Sequence, residues 1–231
     1  MKYIYGLNKS GKSIINFFNK KKINFFAWDD NLNQRRNISY NFKNILFKKP
    51  ENLNYSDIQE AYISPGIDLN DVKLKALKRN KIKMYRDLEL YSNIVSKQKI
   101  IAVTGTNGKS TTTKLIGHLI NCSKKKCFVG GNIGNPLIDF YNSKDNSKYH
   151  VVELSSFQLE SAPSFNSYIS ILLNISNDHL ERYKTIKNYI LQKKKILNRK
   201  NNSFNIISID DKYCRSIYNK YKTINLIPIS L

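Results

Sequence analysis

A chain of 231 residues can bury roughly 70% of the surface its unfolded form exposes, so it needs no disulfide scaffold and its length allows one or two domains. Lys and Arg number 39 against 17 Asp and Glu, a net charge of +22, yet the lysines are spread along the chain with no aromatic RNA-binding signature and no zinc-finger spacing; this reads as a solvated surface that helps draw in anionic nucleotides and argues against nucleic-acid binding. Cys122, Cys127 and Cys214 lack C-x-x-C spacing, which fits inert thiols in a reducing compartment and argues against structural zinc, and without an apolar N-terminal h-region or a run of ~18 apolar residues the expectation is a soluble, cytoplasmic, monomeric protein with no membrane contact.

Taken in chain order, Tyr3–Tyr5 reads as a strand, Ser13–Lys21 as a helix and Ile23–Trp28 as a strand, the alternation of a parallel sheet covered by helices. Gly6-Leu7-Asn8-Lys9-Ser10-Gly11 follows the first strand as G-x-G-x-x-G with Asn8 in the middle glycine's place, a weak signal alone. Asp29 closes the second strand, where a Rossmann unit places the acid that contacts a ribose; the competing reading of Asp29-Asp30 is a solvated turn. Strands at Ile45–Phe47 and Ala61–Ser64 lead to Ser64-Pro65-Gly66-Ile67, just past a strand, where open α/β sheets bind ligands. Together these loops point to a nucleotide-like group. A helix Asp71–Lys81 and a strand Ile82–Tyr85 complete the unit, with a domain boundary at Ser92–Gln98.

A second α/β series starts at the strand Lys99–Val103 and its loop Val103-Thr104-Gly105-Thr106-Asn107-Gly108-Lys109-Ser110-Thr111, with a helix over Ser110–Asn121. Glycines admit an anion close to the backbone, helix-start N–H groups point at it, Lys109 reaches terminal phosphates and Ser110 can offer a hydroxyl to magnesium. Gly105 and Gly108 are closer together than in the common G-x-x-x-x-G-K-[ST] loop, and the bland alternative is a plain strand–turn–helix corner. Strands follow at Lys126–Val129, His150–Leu154 and Tyr168–Leu173, then a helix Ile186–Asn198, a strand Phe204–Ile209, a helix Tyr213–Tyr221 and a strand Ile224–Ile229. Glu153 ends a buried strand, where a lone acid calls for magnesium or lysine, unless it caps the next helix. Leu173-Asn174-Ile175-Ser176-Asn177-Asp178-His179 carries a histidine out of an apolar strand into a polar turn, whereas His118 and His150 read as structural. Lys193, Lys194 and Lys195, read alone, make a solvated helix face.

These strings in this order, VTGTNGKST, GGNIGNP (Gly130–Pro136), ELSSFQLE (Glu153–Glu160), LNISNDHLERY (Leu173–Tyr183) and YILQKKKI (Tyr189–Ile196), resemble the Mur ligase family over nearly the whole chain. GGNIG with ELSSFQL is similar to the branch that adds D-glutamate; the first loop alone would also fit folylpolyglutamate synthases. The resemblance implies a Rossmann-like domain over 1–92 that holds a uridine diphosphate substrate through Lys9, Ser10, Asp29, Ser64, Pro65 and Gly66, and a central P-loop ATPase domain over 93–231, incomplete. It further implies an ATP-dependent ligation of D-glutamate to UDP-N-acetylmuramoyl-L-alanine. Gly105 to Thr111 would bind ATP; Lys109, Glu153, His179 and Lys193 would be catalytic; Ser110, Glu153, His179 and Lys193 would surround Mg2+, with Lys193, four residues after Tyr189, carbamylated. Asn132 would touch the reacting group. The family's C-terminal, D-glutamate-binding domain is expected to be absent, leaving a non-catalytic binding protein as the alternative. Asn8 and Arg86 stand where the family usually has glycine and are expected to alter only local turns, and Lys9 is unusual at a uracil-facing site.

Overall fold

The computed structural model describes residues 1–95, 97–197, 203–221 and 225–230. Strand β1 (Lys2–Tyr5) feeds helix α1 (Lys9–Lys20), which buries Ile14, Ile15, Phe17 and Phe18, each contributing on the order of 1.5–3 kcal/mol. The helix starts before the expected Ser13 and takes in Gly11, where an added Cβ would lie 2.0 Å from the Gly6 carbonyl oxygen. Gly11 therefore lets the first helical turn sit directly on the loop after β1, and the six-residue glycine motif is half helix. After β2 (Phe25–Trp28) comes α2 (Leu32–Asn41), capped by Asn31 Oδ1 accepting from Asn33 N at 2.9 Å. Its sequence carries no helical signal, because Ile38 is its buried residue, too little for a 3.6-residue apolar period.

The strand expected at Ile45–Phe47 is a single bridge, Phe47 beside Ala27, with Ala27 N donating to Leu46 O and Lys48 N to Ala27 O. Strand β3 (Glu60–Ile63) is followed by a 3-10 turn, Val72–Leu74, and by α3 (Lys75–Arg79). The helix expected over Asp71–Lys81 is shorter because Asp71 spends its side chain on Lys73 N and Lys81 turns left-handed (φ 56°). With β4 (Lys83–Tyr85) the first sheet has the order β2-β1-β3-β4, all parallel. Tyr5 pairs with both Trp28 and Ile63, so the loops carrying Gly6, Asp29 and Ser64 leave the sheet side by side.

Helix α4 (Asp87–Ile94) lies between the two sheets, with Asp87, Leu88, Glu89, Leu90 and Tyr91 all buried. The second sheet is built from β5 (Lys99–Thr104), helix α5 (Lys109–Cys122), β6 (Cys127–Gly131), α6 (Asp139–Asn142), β7 (Tyr149–Glu153), α7 (Ser156–Leu159), β8 (Ile169–Leu172), α8 (Leu180–Tyr183), α9 (Ile186–Lys194), β9 (Phe204–Ser208), α10 (Lys212–Lys220) and β10 (Leu226–Ile229). Its order is β10-β9-β8-β5-β7-β6, again parallel. The strand order reverses at β5, the crevice where such sheets take ligands. Asn198 and Ile224, the expected end of a helix and start of a strand, lie outside the described residues.

One apolar core runs through both sheets, from Ile4 and Phe18 to Leu172 and Ile207, and Phe17 of α1 meets Tyr141 edge-on at 4.8 Å. His150 is structural as expected: it is buried against Phe128 and Phe140, its Nδ1 is 2.9 Å from Tyr91 OH, and burial lowers its pKa to about 4. His118 is not part of the core: it sits exposed on α5, as a residue of the helix after the phosphate loop, with Nε2 3.4 Å from Cys122 Sγ. Among the described residues no helix is long and apolar enough to cross a membrane.

Candidate functional site

The loop Gly105–Gly108 leaves β5 and turns through Gly108 (φ 79°) into α5. Thr106 N and Asn107 N both donate to Asn174 Oδ1, at 3.1 and 2.8 Å, while Asn174 Nδ2 donates to Asn107 O. Asn174 thus splints the loop from the end of β8, and the amides open to an anion are those of the helix start at Lys109, Ser110 and Thr111, which have no partner within a helix. Lys109 folds back over the loop, its Nζ 2.8 Å from Thr106 O.

Strand register brings Glu153 at the end of β7 beside Val103 and Gly131. Glu153 is 1% exposed; its Oε2 accepts from Ser110 Oγ at 2.7 Å and its Oε1 from Asn132 Nδ2 at 2.8 Å. Among the described residues no Lys, Arg or His nitrogen lies within 4.0 Å of it. The helix-capping alternative falls away, because Ser155 and Gln158 close a capping box on α7. Asn132 is aimed at Glu153 by Gly131 (φ 111°), where a Cβ would lie 2.2 Å from Glu153 O; only glycine lets the two backbones come so close.

Lys193 contradicts the solvated-face reading of the lysine run. Its side chain is buried, its Nζ donates to Gly105 O at 2.7 Å and lies 4.7 Å from the centre of the Tyr189 ring. Burial first, and the Lys109 charge second, lower its pKa to about 7. Lys194 turns to Tyr221 OH and Lys195 to Glu160 O. His179, left-handed at φ 52° before α8, packs on Phe157 at 4.7 Å and on the edge of Tyr189 at 6.1 Å, with Asp178 and Glu181 oxygens each 3.5 Å from its ring nitrogens. Of the four residues expected around a metal, Ser110 and Glu153 meet directly, and Tyr189 joins His179 to Lys193. Among the described residues no ready-made cluster of three His, Cys, Asp or Glu ligands occurs.

On the other side, Lys9, Ser10, Ser64, Pro65, Gly66, Asn132 and Gln158 line one cavity of about 440 Å³. A neighbouring one of about 350 Å³ is bounded by Gly6, Asp29, Asp30, Ser64 and Asp68. Asp29 is not a solvated turn: its Oδ2 accepts from Leu7 N at 2.7 Å and its Oδ1 from Asn31 N at 2.8 Å.

Arg86 was expected to matter only to a turn. It is instead fully buried, its guanidinium on the carbonyls of Ile63, Ser64 and Ile67 and on the Glu160 carboxylate. Asp87 beside it is buried too, with Oδ2 accepting from Ser10 Oγ at 3.0 Å and from Gln158 Nε2 at 3.3 Å. Burial raises its pKa. Asn174, Arg86, Asp87, Gln158, Glu160 and Arg182 are residues that sequence reasoning missed; the adjacent charges of Arg86 and Asp87 ahead of the apolar Leu88 and Leu90 were the legible hint.

Comparison with known proteins adds an independent line. A family profile described as the Mur ligase middle domain matches residues 103–230. The UDP-N-acetylmuramoylalanine--D-glutamate ligases of Wolbachia pipientis wMel and Rickettsia prowazekii are 39% and 37% identical to this chain, each over 99% of it but over 44% and 51% of their own lengths. The chain spans about half the length of the curated relatives it matches. Among solved structures, a UDP-N-acetylmuramate:L-alanyl-gamma-D-glutamyl-meso-diaminopimelate ligase from Neisseria meningitides superposes with a TM-score of 0.63 at 10% identity, over 98% of this chain and 76% of that one, a likeness of fold.

Proposed function

The chain belongs to the Mur ligase family, and we propose that it serves the ATP-dependent ligation of D-glutamate to UDP-N-acetylmuramoyl-L-alanine, a cytoplasmic step of peptidoglycan precursor synthesis. The observation that carries this reading is Glu153. Its buried carboxylate joins Ser110 of the phosphate loop to Asn132, and Asn132 lines the cavity shared with Ser10 and Ser64–Gly66, so a nucleotide loop and a substrate cavity meet at one acid.

The residues fit ATP and Mg2+. A buried carboxylate without a bonded cation is costly, and carboxylate and hydroxyl oxygens are hard donors suited to magnesium. Lys109 and the helix-start amides of Ser110 and Thr111 would hold phosphates, Ser110 and Glu153 one metal, and His179 with carbamylated Lys193 a second. Bound there, magnesium would neutralise charge spreading over the transferred phosphoryl group. The alanyl carboxylate oxygen takes the γ-phosphoryl group, releasing ADP; the D-glutamate amine then attacks that carbonyl carbon, expelling phosphate and losing a proton. Lys9, Ser10, Asp29 and Ser64 to Gly66 would hold the uridine diphosphate.

Calorimetric titration of the chain with UDP-N-acetylmuramoyl-L-alanine, and of Ser64→Trp, which fills the 440 Å³ cavity, tests the assignment. Saturable binding that Ser64→Trp weakens at least tenfold is expected; equal affinity in the two proteins would refute it.

A further inference from the structure

Glu160 follows α7 on the side of the second sheet, yet its carboxylate is shared by two arginines that both reach the first sheet's ligand loop. Arg86 donates to Ile63 O, Ser64 O and Ile67 O, and to Glu160. Arg182, in the turn of helix that begins after His179, donates from Nε to Glu160 Oε1 at 3.1 Å and from Nη2 to Glu160 Oε2 at 2.8 Å and Ile67 O at 3.1 Å. The Ile67 carbonyl thus receives one donor from each side of the molecule. Arg182 also lies 4.7 Å from the centre of the Phe157 ring, on which His179 packs. Glu160 O in turn accepts from Lys195, two residues from Lys193. Arg86 is fully buried and the Arg182 and Glu160 side chains are largely covered, 11% and 12% exposed; held by forked charge-assisted hydrogen bonds, they have few alternative geometries.

We propose that Arg86 and Arg182, held by their common carboxylate Glu160, are positioning residues that keep the Ser64–Ile67 loop in register with His179 and Lys193. The inference rests on the substrate assignment above, in which that loop receives the uridine diphosphate group. The loop is then held in place through hydrogen bonds that a point charge cannot replace, because each guanidinium spans a carboxylate and at least one carbonyl at once.

The test uses the whole chain. Arg182→Met leaves the Arg86–Glu160 ion pair neutral and paired, so the protein is expected to keep a cooperative melt. Wild type, Arg182→Met, Arg182→Lys and Arg86→Lys are each titrated by calorimetry with UDP-N-acetylmuramoyl-L-alanine and, separately, with the magnesium complex of a non-hydrolysable ATP analogue. We expect about a tenfold loss of UDP-substrate affinity in all three variants, the loss of one charge-assisted contact, with analogue affinity within about twofold of wild type, and no rescue by lysine. Unchanged UDP-substrate affinity in folded Arg182→Met, full rescue by Arg182→Lys, or a parallel fall of both affinities would overturn the proposal. Wild type that fails to bind the UDP substrate would instead overturn the functional assignment, and this inference with it.

Discussion

Lys193 offers a prediction that is independent of any ligand. Its pKa falls from the ordinary 10.5 to about 7 because burial penalises the charged amine and Lys109 repels it. Between those two values the unfolded chain holds a proton that the folded chain has given up, so raising the pH through this window favours the fold; below about pH 7 both states are protonated and the cost of the buried charge is fully present. The slope is about 1.4 kcal/mol per pH unit for one proton. From pH 7.5 to 9.5 the Lys193 contribution should therefore rise by on the order of 2–3 kcal/mol, several degrees in melting temperature for a chain of this size. Lys193→Met keeps the length of the side chain and removes the titration. Urea denaturation of both proteins from pH 6 to 9.5 in carbon dioxide-free buffer should give stabilities whose difference is flat below pH 7 and climbs in favour of wild type above it. A difference that stays constant across the range would refute the burial argument. With 13C-bicarbonate and magnesium at pH 8, the same neutral amine should add CO2 with loss of a proton and show a carbamate carbon signal, absent in Lys193→Met; persistence of that signal would place it elsewhere.

Lys109→Ala should lower affinity for magnesium ATP by about 100-fold or more, the scale of a lost phosphate charge contact, while the melt moves little, since among the described residues Nζ bonds to the Thr106 carbonyl alone; calorimetry and scanning fluorimetry read the two effects. In Glu153→Gln the shape and the Ser110 and Asn132 neighbours remain, so nucleotide binding without metal should persist and its enhancement by magnesium should vanish, and an enhancement equal to wild type counts against Glu153 as a metal ligand. Gly131→Ala forces a Cβ to within 2.2 Å of Glu153 O at a left-handed backbone position and should cost at least about 2 kcal/mol in urea denaturation; a neutral result would mean that the β6 end can move away from β7.

Much of the fold was legible because strands buried on both faces are written as short apolar runs. Lys99–Val103, His150–Leu154 and Tyr168–Leu173 were placed to within a residue or two, and each parallel strand needs a covering helix before the next. What failed locally failed for stated reasons: α2 has almost no apolar face, Ile45–Phe47 finds one bridge instead of a ladder, and Gly11 could be read as helix only by knowing that the Gly6 carbonyl lies against it.

The candidate site divides in the same way. The phosphate loop, Glu153 and His179 are legible by themselves, because a glycine turn ahead of a helix and an acid or histidine at a strand end state their chemistry in neighbouring residues. The state of Lys193 and the roles of Arg86, Asp87 and Asn174 are not, because burial and partnership belong to residues far apart in the chain: Lys193 and Gly105 are separated by 88 positions, Arg86 and Glu160 by 74. By charge and spacing alone Lys193 is one of three equivalent lysines, told apart only by its resemblance to a family motif four residues after Tyr189; in the fold it alone of the three meets the phosphate loop, since α9 turns that one position inward. Local pattern determined the elements and the loop chemistry, and tertiary packing decided which charges are deprived of water and which loops are tied together, because desolvation depends on everything that surrounds a group and not on its neighbours along the chain.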